Sequence, residues 1–191
     1  TDSTVFNYTI SGITNDGSTT TMYIYFSDSL SCNQTFDLTP PVLPTVTGIA
    51  GGATYCAGDA VTPITVDVTG TGPWTVEYTL DGVANTATGA ASPIDLGTSP
   101  GVYVLTGVTD QICLNAAAGT ETIVVNTLPT IGAGTDQALC DGEQTVLSGT
   151  GAISYTWNNG VTDGTTFTPP VGATTYTVTG TDANGCIGTG T

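Results

Sequence analysis

Apolar and polar residues alternate with a period of two through most of this chain. In Trp74-Thr75-Val76-Glu77-Tyr78-Thr79-Leu80 and in Met22-Tyr23-Ile24-Tyr25-Phe26, aromatic or β-branched side chains recur at every second position. That is the pattern of strands with one buried face. Asp-Gly or Asn-Gly follows several such runs, at Asp81-Gly82, Asn159-Gly160 and Asn184-Gly185, where tight turns needing positive φ form most easily. No stretch has helical periodicity, so the expected class is all-β, and neither a TIM barrel nor a Rossmann domain fits. Thr120–Asn126 reads as a further strand.

The strands belong to a repeat. Asn7-Tyr8-Thr9, Glu77-Tyr78-Thr79 and Ser154-Tyr155-Thr156 each start a copy. A second Tyr-bearing strand follows (Tyr23, Tyr103, Tyr176), and a cysteine closes each copy nine or ten residues later (Cys32, Cys113, Cys186). Two copies also open with a cysteine, in Cys56-Ala57-Gly58-Asp59 and Cys140-Asp141-Gly142-Glu143. Leu-Pro-Thr recurs at 43–45 and 128–130, where proline stiffens a link and stops a strand. The expected units are 1–44, the C-terminal part of a repeat; 45–128, a whole repeat; and 129–191, a repeat lacking its last strand. Short strands in units of roughly 80 residues have the rhythm of immunoglobulin-like sandwiches.

Within this frame the cysteines are expected to pair inside units, Cys56 with Cys113 and Cys140 with Cys186, leaving Cys32 unpaired because its copy has no opening cysteine. Each bridge would contribute roughly 4 kcal/mol on the chain-entropy model and implies an oxidising compartment. A zinc site is the lesser reading, since the chain has no CxxC and no histidine. Antibody domains differ in placing a Tyr two residues before the second Cys; here residues 111 and 184 are Gln and Asn.

Charge removes whole classes of function. The chain has no Lys, Arg or His against 16 acidic residues, a net charge of −16, so nucleic acid and anionic membranes should repel it. Ser-His-Asp, Cys-His and Schiff-base chemistry and a Lys-Asn isopeptide staple cannot be assembled. Only a carboxylate pair remains for catalysis, and none is nominated, so the chain is expected not to be an enzyme. Lacking basic residues, it should also resist proteases that cleave after them. Asp59, Glu143, Asp110 and Asp182 recur at matching places in the repeat and are the calcium candidates; no D-x-D-x-D-G loop is present, and turn chemistry is the stronger reading. No other cofactor is expected.

Trp74 with Tyr78, and Tyr155 with Trp157, share a strand face. A sugar-stacking platform is conceivable, but repeated same-face aromatic pairs more often pack a core. Candidate glycosylation positions are Asn33 in Asn-Gln-Thr, with Asn7 as a second sequon that overlaps a strand, and Ser3 and Ser29 in Asp-Ser-Thr and Asp-Ser-Leu. The last two resemble an O-glycosylation pattern of exported Bacteroidota proteins. No membrane span is evident.

The frame Cys-x-Gly-Asp/Glu, Tyr-Thr-x-x-x-Gly, Gly-x-Tyr-x-Val/Leu-Thr-x-x-x-Asp with a closing Cys, clearest over 56–126 and 140–186, resembles the tandem PKD-like and Ig-like repeats of large Bacteroidota surface adhesins. The SprB-like gliding-motility adhesins are among these. The resemblance implies type IX secretion and display on the exterior of a Gram-negative outer membrane. It also implies an extended adhesive filament whose partners are neighbouring repeats of the same chain and surface polysaccharide or other cell-surface proteins. The rival expectations are a carbohydrate-binding or spacer module of a secreted polysaccharide-degrading enzyme, and an extracellular fibre that assembles by strand exchange.

Overall fold

A computed structural model describes residues 20–23, 35–38 and 41–191. It is all-β, with several sheets in a sandwich-like arrangement and no helix among the described residues. In the first unit, β1 (Thr20–Tyr23) and β2 (Thr35–Leu38) pair antiparallel.

Nine strands form the middle unit: β3 (Thr45–Ala50), β4 (Ala53–Cys56), β5 (Ile64–Thr69), β6 (Trp74–Leu80), β7 (Val83–Gly89), β8 (Ile94–Gly97), β9 (Gly101–Thr109), β10 (Leu114–Ala116) and β11 (Thr120–Asn126). One sheet runs β4-β11-β9-β6-β7 with β10 also on β9, and the other runs β3-β5-β8. The expected Asp81-Gly82 turn joins β6 to β7 with both residues at positive φ, 50° and 81°. Asn159-Gly160 turns the same way, at 55° and 72°.

Alternation fills the space between the two sheets. Ile64, Val66 and Val68 of β5 and Ile94 and Leu96 of β8 face Val76 and Tyr78 of β6, Tyr103, Leu105 and Val108 of β9, and Ile123 of β11. On β9 the parity changes between Leu105 and Val108. A bulge opposite Glu77 and Tyr78 inserts one residue, so Val108 still turns inward. Tyr78 stacks on Tyr103 at 5.7 Å and donates its hydroxyl to the Leu96 carbonyl across the core, at 3.2 Å. Tyr103, fully buried, donates to the Ser99 carbonyl at 2.9 Å. Both polar tips are thereby satisfied, which an apolar core demands.

The third unit is smaller: β12 (Thr145–Val146) pairs β14 (Thr166–Phe167), and β13 (Ser154–Trp157), β15 (Val178–Thr181) and β16 (Ile187–Gly190) form a three-stranded sheet. Ile131, Trp157 and Val178 make a separate core. Trp157 donates its indole N–H to Asp163 Oδ1 at 2.8 Å, an oxygen that also accepts from the Gly149 N–H at 2.7 Å. One carboxylate thus ties β13 to two loops. The aromatic residues read as core do pack there: Tyr78 and Trp157 are buried, and Trp74 and Tyr155 are half-buried against the same clusters.

Candidate functional site: a covalent junction between units

Strand register decides where the cysteines lie. β4 runs parallel to β11, with Cys56 opposite Asn126, while Ile123 of β11 lies opposite Gly101 at the start of β9. Cys56 is therefore beyond the beginning of β9. Cys113 sits at the other end of that strand, where its carbonyl accepts from the Asp110 N–H at 3.0 Å. About twelve residue steps separate the two levels, roughly 35–40 Å along the sheet at ~3.3 Å per residue. A disulfide spans at most about 7 Å between Cα atoms.

The expected Cys56–Cys113 bridge is accordingly not formed, and neither is Cys140–Cys186. Cys56 is bonded to Cys186 instead, with a Cα–Cα distance of 5.5 Å and a sequence separation of 130. Cys113 and Cys140 are free thiols, the first half-buried and the second exposed. The bridge joins the middle unit to the third rather than closing either one. The intra-unit expectation rested on the repeat frame, which gives each copy an opening and a closing cysteine, whereas Cys56 and Cys113 of the middle unit lie at opposite ends of it.

Local structure delivers Cys186 to the junction. It follows the turn between β15 and β16, where Asp182 Oδ1 accepts from the N–H groups of Asn184 and Cys186, both at 2.8 Å. Next along the hairpin is Gly188, where a Cβ would collide with the Pro129 carbonyl oxygen. Glycine there lets the hairpin lie directly on the linker that leaves β11. Cys186 is fully buried. On the other side, Ala57 N–H donates to the Asn126 carbonyl at 2.8 Å, and the Cys56 N–H donates to Asp59 Oδ2 at 2.8 Å.

The four calcium candidates all act as turn closers. Asp59 and Glu143 accept from the N–H of the opening cysteine three residues earlier, at 2.8 and 2.7 Å. Asp110 accepts from the N–H groups of Ile112 and Cys113, at 2.8 and 2.7 Å, as Asp182 does in its own loop. Among the described residues, no three His, Cys, Asp or Glu side chains gather as an ion site would need. Ser3, Ser29, Asn33 and Cys32 lie outside the described residues.

Beside Cys140 a groove of about 490 Å³ opens, lined among others by Leu139, Trp157, Phe167, Tyr176 and Thr191. In the middle unit, by contrast, the strand that ends at Cys56, β4, is paired by β11, which also pairs the start of β9. In the third unit, residues 135–144 form no strand. No sequence signal announced the β4–β11 pairing, because it joins segments 70 residues apart.

The fold and junction define a class: all-β units in tandem, linked by a short proline-containing segment and by a disulfide. No protein-family model matches the chain, and no curated protein does.

Proposed function

We propose that the chain is a non-catalytic repeat segment of an extended, secreted surface filament, with units of the Ig-like or PKD-like kind, displayed outside a Gram-negative outer membrane and serving adhesion. Gliding motility and type IX export belong to this reading through the resemblance of the repeat frame. The observation that carries it is the Cys56–Cys186 bond between consecutive units. A covalent tie across a junction fixes the orientation of one unit on the next and shares tension with the linker, which suits a filament more than a freely jointed spacer. A disulfide also fits export to an oxidising compartment, and a surface without cations fits an exposed stalk that neighbours and basic-site proteases leave alone.

The aromatic pairs that would have built a sugar platform are spent on the cores, which disfavours the carbohydrate-binding reading. The fibre reading keeps one observation in its favour, the groove beside Cys140. Electron microscopy of the native protein on and off the cell tests the proposal. Beaded filaments rooted at the surface support it; a compact released particle with a few units beside a bulky domain overturns it. Fibres that grow from purified chains alone would favour strand exchange.

A further inference from the structure

Cys113 and Cys140 are free thiols, although each repeats the setting of a cysteine that is bonded. Cys113 matches Cys186. Both close a hairpin, both have their N–H bound by the aspartate that opens the turn (Asp110 at 2.7 Å, Asp182 at 2.8 Å), and both hairpins lie on a Leu-Pro linker. Gly188 lies against the Pro129 carbonyl, and Asn115 donates to the Pro44 carbonyl at 3.0 Å. Cys140 matches Cys56 in the same way, with Glu143 in the place of Asp59. The middle and third units thus each carry one used and one unused half of the same connection, at opposite ends.

We propose that Cys113 and Cys140 are open halves of a head-to-tail disulfide series, in which the opening cysteine of each unit bonds the closing cysteine of the next. Cys113 takes an opening cysteine from the unit packed ahead of Pro44. The one cysteine of residues 1–44, Cys32, follows Asp28 by four residues, the spacing of the closing Cys186 from Asp182. Cys140 takes the closing cysteine of a unit packed after the third; it is exposed and lines the groove, so its sulfur is open to such a partner.

Each bond forms by exchange with a disulfide oxidant, either a small-molecule disulfide or an exported dithiol oxidase. One cysteine thiolate attacks the oxidant's disulfide, the second displaces it from the mixed disulfide, and two electrons with two protons leave on the oxidant's two thiols. The proposal rests on the tandem-array part of the functional reading and not on adhesion. A disulfide map can fail while filaments are still seen, and the reverse.

The test appends a second copy of residues 119–191 to the full chain. The addition supplies a strand of the β11 sequence, a Leu-Pro-Thr linker and another closing cysteine in the spacing of the native junction. Oxidised protein is alkylated, cleaved at acidic residues and mapped without reduction. The expected map has Cys56–Cys186 and a second bridge from Cys140 to the appended copy of Cys186, with Cys140 alkylation lost. Cys140 recovered alkylated beside an intact Cys56–Cys186 bond overturns the proposal. Should the extended chain not fold, the unextended chain in glutathione redox buffer decides. Glutathione on Cys113 and Cys140 with Cys56–Cys186 intact is the supporting result, and recovery of Cys56–Cys113 or Cys140–Cys186 is the refuting one.

Discussion

Replacing Cys56 by Ser removes the covalent tie between units while leaving both cores untouched. The bridge closes a sequence separation of 130 residues, for which the chain-entropy model gives a stabilisation of about 5 kcal/mol. Spread over the roughly 150 residues of the two units, with unfolding entropy of about 2.1 cal/mol/K per residue, this corresponds to a fall in Tm of about 15 °C. Scanning calorimetry with and without reductant measures it. Cys56→Ser and Cys186→Ser should fall equally, the double variant no further than either single one, and reductant should bring the wild type to the same Tm. Cys113→Ser and Cys140→Ser should stay within about 2 °C of wild type, since each removes only a thiol. The reasoning fails if Cys113→Ser falls as far as Cys56→Ser, because that result would mean the middle unit is closed on itself.

Three further outcomes follow from the cores. Ile64→Ala, at a fully buried position between the sheets, should cost about 2–5 kcal/mol in denaturant titration, against at most about 0.5 kcal/mol for Val83→Ala on the exposed edge. Asp163→Ala should cost about 2–3 kcal/mol by leaving the Trp157 indole and the Gly149 N–H without their acceptor, and should shift tryptophan emission to longer wavelength; Asp163→Asn, which keeps an oxygen there, should lose less. Burial first and then neighbouring Tyr78 raise the Tyr103 hydroxyl above its ordinary value of 10.0. The unfolded chain therefore ionises first as pH rises, so this contribution is whole below about pH 10 and is lost as pH climbs through the raised folded value. Alkaline unfolding of Tyr103→Phe should accordingly show a shallower loss above pH 10, whatever its stability at neutral pH.

Much of this architecture was legible residue by residue. The period-two runs gave β6 with its inward Val76 and Tyr78, and Asp81-Gly82 gave the hairpin turn, because both are properties of a few adjacent residues: side chains alternate across a strand, and positive φ suits glycine and asparagine or aspartate. Asp59, Glu143, Asp110 and Asp182 close their turns for the same local reason, each accepting from a backbone N–H two to four residues away. The absence of Lys, Arg and His, with all that it excludes, needed no structure at all.

Which cysteine meets which was not of that kind. It depends on the parallel pairing of β4 with β11, on the length of β9 that separates Cys56 from Cys113, and on the glycine at 188 that lets the third unit's hairpin settle against Pro129. Those are contacts between segments far apart in the chain, and a spacing of cysteines carries no record of which end of a sandwich each will reach. Sequence alone determined β6, β11, the Asp81-Gly82 turn and the lack of any cationic side chain; the tertiary structure decided that the disulfide joins Cys56 to Cys186, because only the folded sheets set the distances across which sulfur can bond.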